Sequence, residues 1–323
     1  MNFVGTSLRA GAVLLASLSI ADAQISRMPQ TVQDRLQQVG PGWGKDIPGN
    51  IEKTLQAYTP VLAAAPKAGV KVTRDIGYGG DARQRLDVYR PQTGTNTPVV
   101  VFFHGGAYTR GERNVNAEVY ANIPIWFARN GILGINADYR LAPAVKWPAA
   151  AQDVGAVVKW VKQNAASFGG DPNRLYLMGH SAGATHVASY VFINSLHPPE
   201  GPGVAGILLI SGRYDFRPNP DDPNLANFQA YFGTDKSQYA KQSPINYVQT
   251  AAPLPTFIAI AEYDNPDLDT QGALLLAAIC QRDRSCPRFT RLERHNHLSE
   301  IYQFNTPDEA FAREVLGFIR RNR

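Results

Sequence analysis

Short apolar runs alternate along this chain with longer stretches of helical spacing, and few architectures accommodate that alternation. The runs fall near residues 99–103, 132–137, 174–178, 204–210, 256–261 and 288–293, and helical stretches near 117–129, 149–167, 183–195, 268–281 and 307–321 stand between or after them. Antiparallel neighbours need only a tight turn, whereas parallel neighbours need a crossover of a dozen residues or more. The pattern therefore predicts an α/β fold with a mostly parallel central sheet covered by helices on both faces. Val70 to Ile76 and Arg85 to Tyr89 come before the first crossover and read as an antiparallel pair at the sheet edge. No internal repeat or low-complexity tract interrupts this order, so one large α/β domain is expected over residues 66–323.

One strand-to-helix junction carries chemistry. Leu175-Tyr176-Leu177-Met178 enters Gly179-His180-Ser181-Ala182-Gly183, and an alanine-rich helical stretch leaves it. In that context Gly-x-Ser-x-Gly predicts a nucleophile elbow, a tight turn that lifts Ser181 Oγ clear of the sheet. A serine hydroxyl is nearly inert at its own pKa, so it needs a base, an acid and oxyanion donors. Upstream, Pro98 to Phe103 runs into His104-Gly105-Gly106-Ala107-Tyr108; the amides of Gly105 and Gly106, with that of Ala182, are the expected oxyanion hole. His104 itself reads as a residue that ties this loop together. Downstream, the strand ending near Ala261 is followed by Glu262-Tyr263-Asp264, with Asp264 the candidate acid and Glu262 its rival; Asp267 and Asp269 suit the start of the next helix. After the last strand, His295 and His297 compete for the base. Their His-x-His spacing lacks further ligands nearby, so no metal is expected.

These segments together resemble the α/β-hydrolase fold, and within it the hormone-sensitive-lipase-like, arylformamidase-like and feruloyl-esterase-like carboxylesterases. The resemblance runs through His104-Gly105-Gly106, Asp138 to Pro143, Trp147-Pro148-Ala149-Ala150 with Asp153, Gly169 to Arg174 and the elbow, covering roughly residues 70 to 322. His180 before the serine and Gly183-Ala184 after it are more similar to the arylformamidase and feruloyl-esterase branches than to the lipase branch. The resemblance implies that the base precedes a hydrophobic residue, which favours His297 in Asn296-His297-Leu298. It also implies that the N-terminal segment, residues 24–65, forms a small cap over the site. Residues 213–252, rich in Pro, Asn, Asp and Tyr, break the alternation and are expected to be an insertion above the same site.

The N-terminus reads as an address. Arg9 precedes an apolar run from Ala10 to Ile20, too short for a good membrane span, and Ala21-Asp22-Ala23 offers a small-x-small cleavage pattern. A cleaved signal peptide over residues 1–23, secreted or periplasmic location and no stable membrane anchor are the expectations. Cys280 and Cys286 are close in sequence, which in an oxidising compartment favours a local disulfide, contributing on the order of 2 kcal/mol. The formal charge of +5 is spread thinly, and Arg320 to Arg323 is the one basic cluster, a solvated tail rather than a nucleic-acid site.

The expected function is that of an exported serine carboxylesterase: no cofactor, a small-molecule ester as partner, no nucleic acid. Tyr108 beside the oxyanion loop is a candidate wall for an aryl group, and equally a packed core tyrosine. Two alternatives stand beside this. An arylformamidase-like amide hydrolase would prefer a formamide over an ester, and a non-catalytic ligand-binding protein on the same fold would not react with a fluorophosphonate.

Overall fold

The computed structural model describes residues 25–217, 219–220 and 222–322. The signal peptide expected over residues 1–23 lies outside them. Among the described residues these helices and strands follow one another: α1 (Gln30–Val39), α2 (Ile47–Ala64), β1 (Val70–Gly77), β2 (Arg85–Pro91), β3 (Thr97–Phe103), α3 (Asn122–Arg129), β4 (Leu133–Ala137), α4 (Ala149–Asn164), β5 (Gly170–His180), α5 (Ala182–Phe192), β6 (Gly206–Ile210), α6 (Leu225–Phe232), α7 (Tyr239–Gln242), β7 (Thr256–Tyr263), α8 (Leu268–Asp283), β8 (Arg288–Asn296), α9 (Ser299–Tyr302) and α10 (Ala310–Arg321). The strands form one sheet in the order β1-β2-β4-β3-β5-β6-β7-β8. β1 pairs antiparallel with β2, and β2 with β4; every other pair is parallel. This is the mostly parallel sheet that the alternation predicts.

Why both faces are buried follows from the period of two. In β3, Val99, Val101 and Phe103 enter one core and Val100 and Phe102 the other. The same division separates Leu175 and Leu177 from Tyr176 and Met178 in β5, and Ile207 and Leu209 from Leu208 and Ile210 in β6. The first core is closed by α4 through Val154, Val157 and Val161 and by α5 through Val187 and Val191. The second is closed by α3 and α10, with Trp126, Phe127, Phe311, Val315 and Ile319. Met28, Val32, Leu36, Trp43, Tyr58 and Leu62 of the N-terminal segment join this second core.

One helix begins later than its spacing predicts. The stretch expected from residue 117 becomes helical only at Asn122, because the Asn116 side chain accepts the Glu118 and Val119 amides and Tyr120 takes a positive φ of 73°. Residues 213–252 lie in the crossover between the parallel neighbours β6 and β7 and contain α6, α7 and short 3₁₀ turns in place of one long covering helix. Cys280, in α8, is bonded to Cys286, two residues before β8. Among the described residues no helix is long and apolar enough to cross a membrane.

Candidate active site

Parallel strands bring their carboxyl ends to one edge of the sheet, and the candidate residues sit there. β5 ends at His180, and Ser181 follows with φ 56° and ψ −122°, a strained conformation for a residue with a side chain. Its amide donates to Ile210 O at 2.9 Å, and α5 begins at Ala182. The turn closes because Gly183 lacks a side chain: a Cβ there would lie 2.2 Å from Phe103 O. Gly105 approaches Ser181 just as closely, since its Cβ would meet Ser181 Cβ at 2.9 Å. The backbone of Gly105, Gly106 and Ala182 therefore surrounds the serine, and all three line one cavity with it.

The oxyanion-loop residues are held from behind. His104 is fully buried, its Nδ1 donates to Gly105 O at 2.6 Å, and its carbonyl accepts the Tyr139 hydroxyl at 2.8 Å. Arg140 is paired with fully buried Asp153 at 2.7 Å, and Asp138 accepts the Arg113 amide and faces its guanidinium. The Asp138 to Pro143 segment thus braces the loop on which Gly105 and Gly106 stand.

The acid and base come from the next two strand ends. Asp264, just after β7, places Oδ1 at 2.6 Å from His297 Nδ1, just after β8. Asp264 Oδ1 also accepts the Asn265 amide at 2.8 Å, and the His297 amide donates to Tyr263 O at 3.1 Å. The rivals are committed elsewhere. Glu262 accepts the Arg294 amide at 2.6 Å, Asp267 faces Arg213 and Gln271, and Asp269 accepts the Thr270 amide. His295 lies 3.1 Å from Ser299 Oγ and 3.2 Å from Asp308 Oδ2.

Ser181 and His297 open onto a cavity of about 210 Å³. Ile47, Ile51 and Leu55 of α2 form one wall, and Asp222, Asn224 and Phe228 of the 213–252 segment form another. Tyr108 touches the cavity but is 6% exposed, stacked on Tyr231 at 5.7 Å with its hydroxyl 3.3 Å from Thr185 Oγ, so it is a core residue with one edge on the site. A larger cavity of about 970 Å³ lies between α1, α2 and the start of α10. It carries none of the candidate residues, so volume is the poorer guide to the chemistry.

Three residues at the site have no motif to announce them: Ser211, after β6, and Glu300, in α9, contact the Asp264–His297 pair, and Arg213 pairs with Asp222 at the cavity wall. Ligand-type atoms of His180, His297 and Glu300 lie within 4.8 Å of one another. Each is engaged in a hydrogen bond to a neighbouring protein group, and the cluster has the connectivity of a proton network.

The comparisons agree with this architecture. The family model described as BD-FAE matches residues 86–195. A hyperthermophilic esterase from Pyrobaculum calidifontis superposes with a TM-score of 0.67 over 91% of this chain and 98% of its own, at 23% identity. This is an α/β-hydrolase fold. Esterase LipC of Mycobacterium tuberculosis is 31% identical over 212 residues, 60% of this chain and 52% of LipC. Esterase LipQ of the same organism is 27% identical over 250 residues, 71% of this chain and 58% of LipQ. The chain spans a little over half the length of these two curated relatives.

The hydrolase fold here contains a buried imidazole whose acid sensitivity is measurable. His186, on α5, sits among Tyr108, Tyr139 and Tyr231, and burial pushes it down to about 3. The unfolded chain takes up a proton as pH falls through about 6.5 while the folded chain does not, so stability falls on acidification. The loss from this one residue is on the order of 2 kcal/mol at pH 5. The urea midpoint should drop between pH 7 and pH 5, and His186→Leu should make that drop smaller; an unchanged pH dependence in the variant contradicts the assignment.

Proposed function

We propose that the protein is an exported serine carboxylesterase acting on short-chain or aryl esters, with Ser181 as nucleophile, His297 as base and Asp264 as the orienting acid. The observation that carries the reading is the 2.6 Å contact between His297 Nδ1 and Asp264 on the cavity that Ser181 also lines. In this mechanism His297 Nε2 takes the hydroxyl proton as Ser181 Oγ attacks the ester carbonyl, and Asp264 stabilises the imidazolium that forms. The amides of Gly105, Gly106 and Ala182 stabilise the oxyanion. The imidazolium then protonates the departing alkoxide, leaving an acyl-serine. Water, deprotonated by the same histidine, releases the acid and restores the serine. No cofactor enters the scheme.

Residues 24–65 act as a cap in this reading, supported by Ile47, Ile51 and Leu55 on the cavity wall. Export is supported by the bonded Cys280 and Cys286, since such a bond persists in an oxidising compartment. The relatives named above are esterases, which favours ester over formamide. The volume of about 210 Å³ and the apolar wall of Ile47, Ile51 and Leu55 favour a small acyl or aryl group.

The test is kcat/KM for p-nitrophenyl acetate, butyrate and palmitate, methyl ferulate and N-formylkynurenine. Acetate, butyrate or ferulate should exceed palmitate by about tenfold or more, because a long chain cannot be enclosed. Preference for palmitate makes the protein a lipase, and preference for the formamide makes it an arylformamidase.

A further inference from the structure

Three side chains that the triad leaves unused pack directly behind its acid. Glu300 is fully buried; its Oε2 lies 2.9 Å from Ser211 Oγ, and its Oε1 lies 3.1 Å from His180 Nε2 and 3.7 Å from His297 Nδ1. Ser211 Oγ is in turn 2.5 Å from Asp264 Oδ2. Ser211 holds a left-handed φ of 48°, uncommon for a residue with a side chain, immediately after β6. The hydroxyl is thus set between two carboxyl groups by strained backbone.

Counting protons fixes the direction of these bonds. A hydroxyl has one proton, so Ser211 donates to only one of its two carboxyl neighbours. Asp264 already accepts from His297 and the Asn265 amide on Oδ1 and from the Ala261 amide at 3.4 Å on Oδ2, so both its oxygens act as acceptors, the pattern of an ionised carboxylate. The remaining contact needs a proton on Glu300. With Oε2 protonated, the bonds run one way: Glu300 donates to Ser211, and Ser211 donates to Asp264 Oδ2. His180 Nε2 faces two acceptors, the His297 carbonyl at 2.8 Å and Glu300 Oε1, so that nitrogen carries the imidazole proton. One negative charge is left in the cluster, on Asp264.

We propose that Glu300 is a positioning residue of the catalytic centre: a neutral buried acid that donates through Ser211 to Asp264 and holds that carboxylate against His297. This rests on the triad reading above. The titratable groups facing Glu300 are His180 from the end of β5, Asp264 after β7, His297 after β8 and Tyr214 from the segment after β6. Burial and the charge of Asp264 push the Glu300 carboxyl well above the ordinary range, and burial pushes His180 well below its own. Neutrality matters because an ionised carboxylate 3.7 Å from His297 would favour the imidazolium and keep the base protonated to higher pH.

The experiment measures kcat, KM and the pH–rate profile on a short-chain ester for Glu300→Gln, Glu300→Ala and Ser211→Ala, with Ser181→Ala alongside. Glutamine can donate to Ser211 and accept from His180, so Glu300→Gln should keep about a third or more of kcat and hold the acid-limb midpoint within about 0.3 pH unit. Glu300→Ala and Ser211→Ala should each lower kcat about 10- to 100-fold with KM within about twofold, since they release the acid while Glu300 is fully buried and Ser211, which borders the cavity, is only 1% exposed. Ser211→Ala removes a single oxygen and decides the matter even where Glu300→Ala does not fold. Wild-type kcat in Ser211→Ala overturns the proposal. So does a midpoint in Glu300→Gln that falls by about one unit or more, the mark of an ionised Glu300. If Ser181→Ala is inactive while Ser211→Ala is at wild type, the positioning role alone has failed; if Ser181→Ala turns over normally, the triad reading fails first.

Discussion

Ser181→Ala is expected to lower kcat by about four to six orders of magnitude while leaving the fold intact. The substitution removes the one oxygen able to form the acyl intermediate and deletes no buried apolar surface. Alanine has the same backbone requirement at φ 56° that serine has, so the elbow is no more strained in the variant than in the parent. Substrate binding should survive, because the cavity walls come from α2, the 213–252 segment and the loop after β3. The measurement is kcat and KM on a short-chain ester beside a thermal melt. Residual turnover near the parent's, in a folded variant, would remove Ser181 from the mechanism.

His297→Ala is expected to fall to a similar floor, since nucleophile and base act as a unit. The informative control is His295→Ala. Both histidines lie at the end of the same strand two residues apart, but His295 is held by Ser299 and Asp308 while His297 meets Asp264. His295→Ala should therefore keep activity within about tenfold of the parent and lose stability instead, as a buried polar residue with two partners does when truncated. Comparable kinetic losses in the two variants would contradict the assignment of the base; a larger loss at His295 would reverse it.

How much of this was legible in the sequence depends on how far apart the participating residues are. The sheet was legible because the continuous apolar runs of β3, β5 and β6, buried on both faces, and the crossover length between them leave little choice of topology. The elbow was legible because its glycines, serine and flanking elements are contiguous. Asp264 was preferred to Glu262 from its place in the turn beyond the strand, but both leave the same strand end, and only the approach of β8 shows that the Arg294 amide takes Glu262 and His297 meets Asp264. The contribution of Ser211 and Glu300 had no local signature at all. Glu300 reads as an ordinary acidic residue in the first turn of a short helix, and Ser211 as the end of a strand. They meet across 89 residues because β6 and β7 are neighbours in the sheet and α9 folds back over their ends. Helix onset at Asn122 escaped for the opposite reason, a purely local one: a side chain–backbone cap at Asn116 outcompetes the first helical turn.

Reaction with a fluorophosphonate probes most directly whether this cavity houses an activated serine. The reagent phosphonylates a serine only where a base takes its proton and oxyanion donors stabilise the addition. Intact-mass and peptide mass spectrometry of the full-length protein should show one adduct, on Ser181, absent from Ser181→Ala and strongly slowed in His297→Ala. A folded protein that takes no label, or takes it on another residue, would contradict the account.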